Sequence, residues 1–278
     1  MDFVLKEQYR VEDLLKIMEL LRGEGGCPWD REQTHQSIRK NMIEEAYETA
    51  EAIDLEDPAM LREELGDVLL QVVFHARISQ ETGGFSFDDV CDGICKKLIL
   101  RHPHIFGTVQ VSDSAEVLKN WDAIKKEEKG QQSQTDTLLS VPKVLPALMR
   151  SAKVQQRAAR AGFDFADAAA AFDSLETEVA ELWEVMEGHS EHSDLSAPQQ
   201  ERLEEEMGDV LFASVNVARL LGKDPEECLT ASCEKFIRRF SQVEALAKEQ
   251  ELDMSKAGME VLDGLWDQVK EREREAKR

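Results

Sequence analysis

The chain carries an internal repeat with a period near 140 residues, and that one feature restricts it to folds built from two copies of a single domain. Residues 61–77, LREELGDVLLQVVFHAR, lie over residues 203–219, LEEEMGDVLFASVNVAR, with ten identities in seventeen. The match continues outward in order. EEAYE at 44–48 faces TEVAE at 177–181, Lys97-x-x-x-Arg101 faces Lys235-x-x-x-Arg239, and Trp121-Asp-Ala-Ile-Lys125 faces Trp266-Asp-Gln-Val-Lys270. A length of 278 residues is enough for two domains that each bury a core without disulfides. The expected division is an N-terminal domain over 1–130, a polar linker over 131–140 around GQQSQTDT, and a C-terminal domain over 141–278.

Apolar residues recur at spacings of three and four almost throughout, and β-branched alternation is confined to TVQV at 108–111, so the fold class is all-α, a tandem pair of helical bundles. Helices are expected over 11–22, 36–54, 58 to just before Gly83, 87–101 and 113–129 in the first copy. In the second they are expected over 142–160, 167–188, 199–221, 225–248 and 256–276. Asp57-Pro58 reads as a helix start, and Asp113-Ser-Ala-Glu116 and Asp224-Pro-Glu-Glu227 read as capping boxes. In GGCPWD at 25–30, Asp30 is expected as an N-cap, and Trp29 reads either as packed beneath it or as a contact to a ligand.

Thirty-four basic against 57 acidic residues leave a formal net charge of −23, which repels nucleic acids and acidic membranes as general partners. The most apolar stretches, such as 68–74, are far too short to span a bilayer. The start MDFVLKEQYR has no secretory pattern, so a cytoplasmic location is expected. Five scattered cysteines without metal-ligand spacing read as reduced packing thiols.

The repeated residues carry the chemistry. Glu45 and Glu48 stand three apart on one helix, and Glu64 and Asp67 three apart on the next, so each pair projects from one face. Two facing pairs form a nest of four carboxylates, which repel one another unless a cation sits between them. Hard oxygen ligands suit magnesium or manganese. Glu178, Glu181, Glu206 and Asp209 hold the same positions in the second copy, whereas the counterpart of Glu44 is Thr177, which places Glu44 behind the other four as a ligand. Gly66 and Gly208, inside helices at a cost of about 1 kcal/mol, suggest that another group approaches there. Lys97, Arg101 and Lys125, with Lys235, Arg239 and Lys270, are candidates to bind phosphate oxygens or, alternatively, surface ion-pair partners. Trp121 and Trp266 read either as core or as a cover for a ligand.

At these positions the chain resembles the MazG family of nucleoside triphosphate pyrophosphohydrolases. The family's EExxE and EExxD stand here as EEAYE with EELGD at 63–67, and as TEVAE with EEMGD at 205–209. GGCPWDREQTHQSI at 25–38, RHPHIF at 101–106, LPALMRSAKVQQRAARAGFDF at 145–165 and EKFIRRF at 234–240 are also similar to family motifs. The resemblance implies magnesium-dependent hydrolysis of nucleoside triphosphates, of broad base preference, between the α and β phosphorus. It implies a homodimer of tandem-domain subunits. Carried over by position, it implies that Glu178, Glu181, Glu206 and Asp209 form the main catalytic and metal site, with Lys235, Arg239, Trp266 and Lys270 on the nucleotide. Glu45, Glu48, Glu64 and Asp67 would be the equivalent N-terminal nest.

Two other readings compete. Carboxylates in helical bundles also hold di-iron centres, but these need E-x-x-H on two helices, and Glu32-Gln-Thr-His35 has no repeat partner. The second is a catalytically degenerate dimer that keeps its carboxylates as a regulatory or binding scaffold.

Overall fold

The computed structural model describes residues 3–128, 130, 133–187 and 195–276, and among them the regular structure is helical throughout. The chain divides into two compact units, Met1–Glu128 and Lys129–Arg278. The first contains α1 (Val11–Arg22), α2 (Pro28–Glu32), α3 (Arg39–Asp54), α4 (Pro58–Glu81), α5 (Phe87–Arg101), α6 (Pro103–Phe106) and α7 (Ser114–Glu128). The second contains α8 (Gln134–Leu139), α9 (Ala147–Arg160), α10 (Ala168–Met186), α11 (Ala197–Leu220), α12 (Pro225–Glu249) and α13 (Met259–Ala276).

The packing order is the same in both. α3 lies along α4 as α10 lies along α11; α1 packs on α4 as α9 packs on α11; α5 joins α4 to α7 as α12 joins α11 to α13. Local chemistry sets the helix ends. Asp57 accepts from the backbone N–H of Ala59 and Met60 at 2.9 and 3.1 Å, and Pro58 supplies the helical φ at the first position, so α4 starts where the sequence predicts. Asp224 does the same for Glu226 and Glu227. Glu227 does not complete that capping box; instead the neighbouring Glu226 carboxylate accepts from Met149 N–H at the start of α9, 3.2 Å away. Asp113 accepts from Glu116 N–H, but the Glu116 carboxylate returns to Ser112, one residue before the expected partner.

Several boundaries differ from expectation. α3 begins at 39 because Thr34 and Ser37 exchange side-chain bonds with each other's N–H and hold a turn there. α9 begins at 147 because Pro142 and Pro146 disfavour helix in the residues before them. Polar 131–140 is not wholly linker: Ser133 and Asp136 form a capping box that starts α8, while residues 131 and 132 lie outside the described residues, as do the expected helix ends at 129 and 188. Pro28 starts α2 with Cys27 as its N-cap, so Asp30 is inside the helix, and Trp29 is 58% exposed rather than packed.

The cores sit at different places. In the first unit, Met18 of α1 meets Val73, Phe74 and Ile78 of α4, with Ile38 and Leu70. In the second, Val243, Leu246 and Ala247 of α12 meet Leu265 and Val269 of α13, with Trp266 at the edge. Among the described residues, no helix is long and apolar enough to cross a membrane.

Candidate metal and phosphate site

In each unit a helical hairpin brings the acidic pairs together. α3 presents Glu45 and Glu48, and α4 presents Glu64; one carboxylate oxygen from each lies within 4.8 Å of the others. In the second unit the same distance encloses Glu178 of α10 with Glu206 and Asp209 of α11. Each nest thus gathers three of its four expected carboxylates tightly, and the fourth differs. Asp67 is outside the first triplet and Glu181 outside the second, although the charge of each reaches it, Asp67 acting on Glu45 and Glu181 on Glu178. Glu48 bears on Glu45 from one turn away, and Arg202, one turn before Glu206, pairs with Glu206 at 3.2 Å. Glu206 is buried. Thr177, at the departure from EExxE, donates its hydroxyl to Asp173 C=O at 3.0 Å and so bonds back to its own helix.

The electrostatics have one direction. Burial, then the charges of Asp67, Glu48 and Glu64, raises the pKa of Glu45; burial, then Glu48 and Asp67, raises that of Glu64. Burial, then Glu181, Asp209 and Glu206, raises that of Glu178. All three hold a proton above the ordinary glutamate value of 4.5. An oxygen-only donor set that carries more negative charge than it tolerates fits a hard divalent cation. A stability consequence follows. Folded Glu178 binds its proton more tightly than the unfolded residue, so its ionisation costs stability above pH 4.5 and costs nothing below it. In the metal-free chain, Glu178→Gln is expected to raise the unfolding midpoint at about pH 7.5, the gain shrinking as the pH falls toward 4.5. A variant less stable than the parent at every pH would refute this.

A Cβ built at Gly66 or Gly208 meets no atom of the described residues within 4 Å apart from its own stretch of helix. Internal packing therefore does not require either glycine, and the space beside it is open.

The basic candidates separate into two kinds. Arg101 pairs with Glu128 at 2.7 Å and Arg239 with Glu273 at 2.8 Å, a duplicated ion pair that ties α5 to α7 and α12 to α13. The sequence signal for it was available, since Glu128 and Glu273 both follow their tryptophan by seven residues. Arg239 also lies over the Trp266 ring, 5.9 Å from its centroid, and Phe236 packs against that ring at 5.1 Å. Trp121 packs beside His102, and its buried Nε1–H has no partner among the described residues. Lys270 pairs with Asp267 at 2.7 Å, and Lys125 is half-buried on α7. Lys97 and Lys235 are exposed without an ion pair among the described residues, which leaves them the most available cations of the set.

Comparison with known proteins gives consistent matches. The family model described as "MazG nucleotide pyrophosphohydrolase domain" matches residues 33–106 and 166–244. These segments contain all eight carboxylate candidates with Lys97, Arg101, Lys235 and Arg239, and stop short of Trp121, Lys125, Trp266 and Lys270. The chain is 44% identical to a nucleoside triphosphate pyrophosphohydrolase of Escherichia coli, over 95% of this chain and 98% of that protein. It is 40% identical to the nucleoside triphosphate pyrophosphohydrolase/pyrophosphatase MazG of Thermotoga maritima, over 93% of this chain and 95% of that one. A crystal structure of a mazG-related protein from Thermotoga maritima matches with 31% identity and a TM-score of 0.37, over 42% of this chain and 99% of that one.

Proposed function

The chain belongs to the MazG nucleotide pyrophosphohydrolase family, and on that premise we propose that it is a magnesium-dependent enzyme that hydrolyses nucleoside triphosphates, ribose and deoxyribose alike, to monophosphate and pyrophosphate. The observation that carries this reading is the convergence of Glu178, Glu206 and Asp209 from two helices within 4.8 Å. The nest of Glu45, Glu48 and Glu64 supports a second, equivalent site.

Magnesium, or manganese in its place, supplies charge neutralisation for the triphosphate oxygens when bound. Glu178, Glu206 and Asp209 would hold it. Glu181 stands outside that triplet and close to Glu178, so its carboxylate is free to orient the attacking water and accept its proton. Water oxygen bonds to phosphorus as the bridging P–O bond between the α and β phosphorus breaks, and pyrophosphate departs with the electron pair. Lys235 offers an uncommitted cation to the phosphates, and Lys270 one that must exchange its bond to Asp267. Arg239, one turn beyond Lys235, is held by Glu273 and lies over Trp266.

The working form is a homodimer. Compact units of half this mass each would together expose about 15,000 Å²; the chain exposes 20059 Å². Large apolar side chains stand among the exposed residues. Ile43, Tyr47, Leu65 and Leu69 are exposed on α3 and α4, and Val179, Trp183, Met207 and Leu211 on α10 and α11. Hairpins with apolar faces of this extent call for a second copy.

Incubation with each of the eight common triphosphates, with and without magnesium, followed by separation of the products, tests the reaction. Monophosphate and pyrophosphate that form only with metal are expected; diphosphate and phosphate would place the cut elsewhere, and no product would favour a regulatory scaffold.

A further inference from the structure

Two histidines of the first unit meet away from its acidic nest. His35 lies in the turn before α3 and His75 on α4; their Nδ1 atoms stand 2.8 Å apart, and the rings are 5.1 Å apart between centroids and only 6° from parallel. His35 is exposed and His75 half-buried, so the pair is open to solvent. The carboxylates do not share it. His75 follows Glu64 by eleven residues, about 16 Å along the α4 axis.

Packing does not ask for an imidazole at this place. Under the alignment of 61–77 with 203–219, His75 faces Val217, which is half-buried on α11. An apolar side chain therefore fills the same position in the second unit. In the first, burial, then the charge of His35, lowers the His75 pKa below the ordinary histidine value of 6.5. A ring so placed is neutral near pH 7, the state in which its nitrogen offers a lone pair.

Without a metal, one Nδ1 must carry a proton and the other accept it, so the two rings hold opposite tautomers. A metal ion removes that demand. Both Nδ1 atoms then turn lone pairs to the ion, and both Nε2–H groups stay free for other acceptors. Nitrogens about 2.05 Å from one ion are about 2.9 Å apart at a right angle and about 3.3 Å apart at the tetrahedral angle. The observed 2.8 Å needs to widen by no more than about half an ångström. Imidazole suits zinc, nickel or copper, whereas magnesium takes oxygen. Among the described residues no third His, Cys, Asp or Glu joins the pair in a ligand group, so water completes the shell.

We propose that His35 and His75 form a second kind of metal site, for a transition-metal dication of the zinc class, distinct from the hard-cation nests. Thr34 and Ser37 hold the turn of His35 in front of α3, so a metal on both rings ties the start of the helix that carries Glu45 and Glu48 to α4. Val217 denies the second unit this clip. The site stands or falls independently of triphosphate hydrolysis.

The test titrates zinc chloride into the full chain in excess magnesium, which competes for the carboxylates, and follows the histidine ring resonances. The two stacked rings, recognised by their mutual nuclear Overhauser effect, are expected to shift together and saturate at one zinc per chain. His75→Val installs the residue of the second unit, and His35→Gln removes the other nitrogen; each should weaken that binding about tenfold or more, with manganese binding unchanged. Zinc should also raise the unfolding midpoint of the parent more than that of either variant. Zinc held only by cysteines or carboxylates would leave both ring signals in place and the variants' affinity intact, and either result would overturn the proposal. If neither variant folds, the parent decides alone: a joint shift of the two rings supports the site, and unmoved rings refute it.

Discussion

Replacing Asp209 with Asn is expected to lower triphosphate hydrolysis by about 10²- to 10³-fold, the usual cost of removing one preorganised electrostatic group from a reacting site. The substitution keeps shape and hydrogen-bonding size while removing one of the three converging charges of the second unit. Asp209 caps no helix and pairs with no cation among the described residues, so far-ultraviolet circular dichroism should be unchanged. Asp67→Asn, its counterpart, should cost less, because Asp67 lies outside the triplet of Glu45, Glu48 and Glu64. Turnover of the Asp209 variant within twofold of the parent would remove this residue from the site.

A second large effect is expected at the apolar faces. Trp183 is 67% exposed on α10 and Leu211 53% exposed on α11, and each gains roughly 1.5 to 3 kcal/mol if a second copy buries it. Glutamate at either position would bring an unpaired charge into that contact, at a further cost of several kcal/mol. Trp183→Glu combined with Leu211→Glu should therefore shift the sedimenting mass from twice to once the chain mass of 31.5 kDa, with loss of activity. A parent that already sediments as a monomer would contradict the dimer.

The sequence exposed the helices and the acidic pairs because both depend on spacing alone. Helical periodicity placed α4 and α5 to within a residue or two, helped by local caps at Asp57 and Ser86. The E-x-x-E and E-x-x-D spacings placed the carboxylates on facing helices. Which three of each four converge was not readable, because spacing puts all four on facing helices and only the placement of the side chains across the hairpin separates them. The fate of Arg101 and Arg239 was hidden for a similar reason: their partners Glu128 and Glu273 come from another helix. α8 was concealed by its polarity, although Ser133 and Asp136 already spelled its cap.

The central claim is that the acidic nests hold divalent cations that serve the reaction. Equilibrium manganese binding, followed by the loss of the free-ion paramagnetic resonance signal, tests it most directly. The account predicts saturable binding with one site per nest, Asp209→Asn weakening the second-unit site and leaving the first, and magnesium competing for both. Identical binding by parent and variant, or none by the parent, would contradict it.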